Sequence, residues 1–187
     1  MPAFKNPSTK LVFDYWVSLN GGKPPAARRL DPVAIPKLMP YVLILERRSE
    51  CGARSGFAPR FAGTSVCDFV GTELTGLPLD KYLPGEILKV AESNLTVMLD
   101  HPCGRWNTSA TRSAAGRVSD VEYLSLPLCD ELGTPDRIMV FMAVLSTRGF
   151  GETSALVGES MASEWIDLGS GIPDVQANPS HSLNSAL

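Results

Sequence analysis

The chain has 187 residues, room for one ordinary domain with appendages and too little for two. Apolar residues make up 44 % and charged residues 20 %, the balance of a globular protein with a packed core. Seventeen basic against twenty acidic side chains give a net charge of −3 and an isoelectric point near 5.4, which excludes a nucleic-acid footprint.

The N-terminus, "MPAFKNPSTK", has no apolar stretch after its lysines, so no secretory signal is expected. Residues 8–19 place Leu11, Val12, Tyr15, Trp16 and Leu19 at helical spacing, with Ser8 or Thr9 as the expected N-cap. "NGGKPP" stops that helix. Asp31 and Pro32 then read as the cap and first residue of one or two helical turns before Pro40. "YVLILER" (41–47) reads as a strand, with "PRFAG" (59–63) as its hairpin partner across a loop holding Gly52 and Gly56.

After Gly63 the pattern becomes helical. Val66, Phe69 and Val70 share one side of a short helix that Gly71 can end. Residues 85–100 form the longest predicted helix, with Ile87, Ala91, Leu95 and Met98 on one face, and Pro102 stops it. "CGRWNTSAT" (103–111), "VEYLSLPL" (121–128) and "DRIMVFMAVLST" (136–147) read as strands. The middle one alternates, placing Leu124, Leu126 and Leu128 on one face. The run from Ile138 to Leu145 is the longest unbroken apolar stretch, far short of a membrane span. It is apolar on both faces, so something must cover the outside of the sheet: the N-terminal helix or a second copy.

From Phe150 the composition turns to Ser, Gly, Asn and Pro, which predicts a largely disordered tail. One island, "SEWIDLG" (163–169), carries Trp165, Ile166 and Leu168 and is suited to docking. The division is an N-terminal helical extension (1–40), a central domain (41–148) and the tail (149–187). Strands at both ends of the sequence with helices between them predict an α+β fold, an antiparallel sheet with its helices gathered on one face and the N-terminal helix in addition.

"RFAGTSVCDFVGTELTG" (60–76) raises three chemical readings. Its glycines are too far apart for a phosphate loop, and it has no lysine; they read as backbone devices at the end of a strand and of a helix. Cys67 among Val66 and Phe69 reads as a small buried hydrophobe, and Cys51, Cys103 and Cys129 as reduced thiols. His101 and Cys103 are too few for a metal site, and His181 lies in the tail. The acids Asp14, Asp31, Asp68, Asp80, Asp100, Asp120 and Glu122 show no marked pair, and no nucleophile motif accompanies His101.

The order of elements resembles the PAS fold, and more narrowly a bacterial, largely alphaproteobacterial family of stand-alone PAS-like proteins. The residues that carry the resemblance are Trp16, "RLDP" (29–32) before "IPKLMP", "RFAGT" (60–64), "GTELTG" (71–76) and "LSLPL" (124–128). It spans roughly Tyr15 to Ser146. It implies a five-stranded antiparallel sheet cupping a cavity closed by the short helices and the long helix, in a sensory module that is often dimeric. In that fold Phe69, Leu95 and Met98 would face Trp106, Tyr123, Leu126 and Met142 as a ligand-binding wall. The Asn-Cys-Arg-Phe motif of flavin-binding relatives is missing around Cys67, and His101 sits at the far end of the helix that carries the haem ligand in others, so no cofactor and no metal is expected.

The expected function is a cytoplasmic, non-enzymatic sensory or regulatory protein. It would bind a small apolar or amphipathic molecule or a partner protein, form a homodimer, and signal through contacts with another protein rather than nucleic acid or membrane. The stretch after Ser146 leaves no room for an output domain. A small cavity-type isomerase or hydrolase, or a ligand-free interaction module, are the alternatives.

Overall fold

A computed structural model describes residues 2–48, 55–148 and 160–173. Helix α1 (Pro7–Asn20) begins with Pro7 at its first position, where the missing N–H costs nothing. Its cap is Asn6, whose side chain accepts the Ser8 N–H, one step earlier than the expected Ser8 or Thr9. Gly21, at φ 61, closes the other end. The buried stripe is Val12, Phe13 and Trp16, whereas Leu11, expected inside, is 59 % exposed. Leu11 and Val12 lie on adjacent rotations of the helix, and the sheet selects one of the two stripes.

The segment after Asp31 forms turns, not the expected helix. The Asp31 carboxylate accepts the Val33 N–H, a local bond that competes with helical geometry, and a short 3₁₀ turn follows at Met39–Tyr41. Strands β1 (Val42–Arg47) and β2 (Phe57–Ala62) pair antiparallel as predicted, while residues 49–54 between them, Cys51 and Gly52 included, lie outside the described residues. Gly63 has an ordinary φ of −68, so it is not needed for a left-handed turn. A Cβ there would collide with the carbonyl oxygens of Met39 and Pro40, and this close approach is what demands glycine.

Helix α2 (Thr64–Val70) ends at Gly71, at φ 83, as expected. After a 3₁₀ turn at Leu79–Lys81, α3 runs Gly85–Asp100. Its buried residues are Leu95, Met98 and Leu99, with Leu88 packed beside them; Ile87 is 37 % and Val90 50 % exposed. Only the C-terminal half of the predicted face is therefore covered. Strands β3 (Gly104–Arg112), β4 (Val118–Cys129) and β5 (Pro135–Thr147) follow.

The sheet is fully antiparallel, in the order β2-β1-β5-β4-β3-β6. The sixth strand, β6 (Ser160–Ile166), exceeds the expected five and comes from the stretch read as a tail. It pairs along β3 from Gly104↔Ile166 to Ser109↔Ser160, so the island around Trp165 docks on the sheet edge. Its strand-forming side chains and the free edge of β3 outweigh the polar composition around it. The remaining tail residues, 149–159 and 174–187 with His181, lie outside the described residues.

Two layers cover the sheet. Helix α1 packs on its own chain's sheet, with Val12, Phe13 and Trp16 against Trp106, Leu124, Phe141 and Met139. Helices α2 and α3 close the opposite face, over Leu45 and Ile138 at one end and Val121 and Met142 at the other. The doubly apolar β5 is thus covered on both sides from Ile138 to Ala143, while Val144 beyond them is 40 % exposed.

Candidate functional site

Successive strand residues point to opposite faces, so register decides which side chains meet. One row runs Trp106, Leu124, Phe141 and Val42 across four strands and lies under α1. It is sealed: none of the four exceeds 4 % exposure. The neighbouring row, one residue along, runs Trp165, Arg105, Ser125, Val140 and Leu43 on the face of α2 and α3. All five of its members are only half-buried, as are Asn107 and Tyr123 beside them. The residual exposure of this row, beneath the helical layer, sets it apart from the sealed row on the other face.

The site has two halves. Toward β1 and β5 it is apolar, with Leu43, Val140 and Met142. Toward β3 it is polar. Arg105 Nη1 donates to Asn107 Oδ1 at 3.3 Å, and its guanidinium lies 5.5 Å from the centre of the Trp165 ring. The hydroxyls of Ser109, Thr111 and Tyr123 form a chain with steps of 3.2 and 3.1 Å. Burial lowers the Arg105 pKa and raises that of Tyr123, each by penalising the charged form.

Tyr82, just after the 3₁₀ turn at Leu79–Lys81, packs against both apolar clusters of this face. Among the described residues its buried hydroxyl has no hydrogen-bond partner, and burial raises its pKa strongly. Buried hydroxyls are almost always partnered, which makes this one unusual on this face.

Of the residues expected to form the ligand wall, Phe69, Leu95, Met98, Tyr123 and Met142 lie on this face. Trp106 and Leu126 do not: both pack on the α1 side. The reason is parity, because Tyr123 and Leu126 are three residues apart on one strand and must point opposite ways. Trp106 stands opposite Leu124 in the register and shares its face. The expectation missed Arg105, Asn107, Ser125 and Tyr82. The alternation of "GRWNTSAT" carried the signal for the first two, since every second residue there is polar.

Cys67 is half-buried, not enclosed, and its thiol sits 3.8 Å from the Glu73 carboxylate. His101 caps the C-terminus of α3, and its Nε2 is 3.2 Å from the Gly171 carbonyl oxygen in the segment after β6. Among the described residues no cluster of His, Cys, Asp and Glu could hold a metal ion.

Two of the acids, Glu122 and Asp120, are employed elsewhere. Glu122 is fully buried on the α1 side and accepts four hydrogen bonds. They come from the Lys5 and Asn6 N–H groups, the Thr9 hydroxyl and the Trp106 indole N–H, at 2.6–3.0 Å. This carboxylate clamps the start of α1 to the sheet. An open dent of about 450 Å³, lined by Pro2, Phe4, Lys5, Asn6, Pro7 and Lys10, lies at that N-terminal end. Asp120 accepts from Ser146 Oγ and Arg148 Nη2, both at 2.9 Å, and these bonds hold its pKa below the usual carboxylate value.

A solved structure of an RsLOV variant is similar at 14 % identity, with a TM-score of 0.43, over 66 % of this chain and 73 % of the other. No curated protein matches the chain. The family model described as "PAS domain" matches residues 4–143, three quarters of the sequence, from the residues before α1 through most of β5. The chain belongs to the PAS domain family.

Proposed function

We propose that this PAS domain protein is a non-enzymatic sensor that binds a small amphipathic molecule on the inner face of its sheet and signals through protein contacts. One observation carries the reading. The row Arg105, Ser125, Val140 and Leu43 stays only half-buried on the face of α2 and α3, while the row on the other face is sealed. A protein that only needed a core would fill both. The apolar and polar halves together match the usual make-up of a ligand pocket, mostly apolar with a few placed polar groups.

Reporting of occupancy falls to the surface of the domain. Leu11 on α1 and Val90 on α3 are exposed apolar contact points on opposite layers, suited to a second copy or a partner protein. We place the protein in the cytoplasm as a homodimer on the reading of its composition and family; among the described residues no helix is long and apolar enough to cross a membrane.

Native mass spectrometry of freshly purified protein tests the reading. A bound mass that leaves on denaturation, carried by a dimer, is the expected result. An unliganded protein that also fails to bind amphipathic probes would return the inner face to the status of an imperfectly packed core. Turnover of a substrate would overturn the non-enzymatic assignment.

A further inference from the structure

The inner-face site contains an imbalance of charge. Arg105 is drawn into the fold far enough for burial to lower its pKa, yet among the described residues it meets no carboxylate. Its partners are one neutral amide oxygen, on Asn107, and the face of Trp165. An arginine has five N–H donors in a planar fork, and one donor to Asn107 leaves most of them unused. A partly desolvated cation with spare donors is costly unless an anion completes it. The Tyr82 hydroxyl, on a residue packed on the same face, is a second polar group with no partner among the described residues. These two facts are independent: one is a matter of charge, the other of hydrogen bonding on a separate element.

Resting on the sensory reading above, we propose that the ligand is a small amphipathic monocarboxylate whose carboxylate docks on Arg105 and whose apolar body lies over Val140, Leu43 and Met142. The fork of a guanidinium matches two oxygens of a carboxylate or of a phosphate equally well. The count of charges separates them. The site supplies one cation, so a monoanion neutralises it, whereas a phosphate dianion would bring an unpaired buried charge. The Trp165 ring lies within cation–π distance of the guanidinium, which gives β6 a role in the site beyond protecting the edge of β3. Asn107 fixes the opposite side of the fork.

Calorimetric titration of the full chain with octanoate, octanol and octyl phosphate tests this. Octanoate should bind about tenfold or more tightly than octanol. It should also shift the Arg105 Nε–H resonance in nitrogen-15 spectra. Arg105→Gln should abolish the preference for octanoate over octanol. Arg105→Lys, which keeps the charge without the fork, should retain part of the preference and guards against a folding defect in the glutamine variant. Equal binding of octanoate and octanol overturns the anion assignment and leaves the ligand site standing. Tighter binding of octyl phosphate overturns the carboxylate in favour of a phosphate. Failure of octanoate to bind overturns the inference. The sensory reading falls separately, if octanol also fails to bind and native mass spectra show no retained molecule.

Discussion

Glu122 shows how much one side chain can hold. Its buried carboxylate satisfies two backbone N–H groups ahead of α1, a threonine hydroxyl and an indole N–H. Glu122→Ala leaves those donors inside the protein without acceptors. The loss should be about 3 kcal/mol or more in urea denaturation, and the Trp106 indole N–H resonance should move. A loss under about 1 kcal/mol would mean that water replaces the carboxylate and that the clamp is not structural. Nothing in the sequence marks this residue, because its four donors come from Lys5, Asn6, Thr9 and Trp106, distant in the chain and assembled only by folding.

Cys103 gives a pH-dependent case. It is fully buried, and burial followed by the nearby Asp167 charge raises its pKa from 9.0 to about 11. The folded chain therefore holds this proton more tightly than the unfolded chain does. The resulting stabilisation is complete below pH 9 and is lost as the pH rises through about 11. Cys103→Ala should flatten the decline in stability over that interval. A parallel decline in both proteins would refute the assignment. At neutral pH a thiol reagent should modify the half-exposed Cys67 well before the buried Cys103 and Cys129.

At the scale of elements, α1 is an integral layer of the domain. Trp16 is wholly buried against the sheet, and its indole N–H donates to the Pro127 carbonyl oxygen at 3.1 Å. Trp16→Ala should cost about 3–5 kcal/mol, while Leu11→Ala, on the exposed side of the same helix, should cost less than about 0.5 kcal/mol. Equal effects would mean that the helix does not pack on the sheet as described. Helical periodicity alone admits both stripes, and the helix is amphipathic enough for either. The same ambiguity explains α3, where Ile87 was expected inside and Leu88 is the residue that packs. Gly63→Ala should cost about 1–3 kcal/mol, because the new methyl group meets backbone carbonyls that cannot swing aside as a side chain would.

Across the whole molecule, β6 links the stretch read as a tail to the site. A chain ending at Arg148 would leave β3 as an open edge and Arg105 without its aromatic platform. Hydrogen exchange should show this selectively. The β3 amides bonded to β6 lose protection, while those bonded to β4 stay slow, because the two sets alternate along one strand. Uniform loss along β3 would instead mean that the fold depends on β6 globally.

The sequence by itself determined the α+β class, the limits of α2 and α3 to within a residue or so, the five central strands and the covered state of β5. These rest on local rules: capping by glycine and proline, and the period of apolar residues along a segment. Only the tertiary structure decided which parity of β3 and β4 looks inward, and with it the division of Tyr123 from Trp106 and Leu126. It also decided the fate of the tail's one apolar island, and the meeting of Arg105, Asn107, Trp165 and Tyr123. Strand alternation defines two faces without saying which one the helices cover. That choice is made by partners far along the chain, when α1 takes one face of the sheet and α2 and α3 the other.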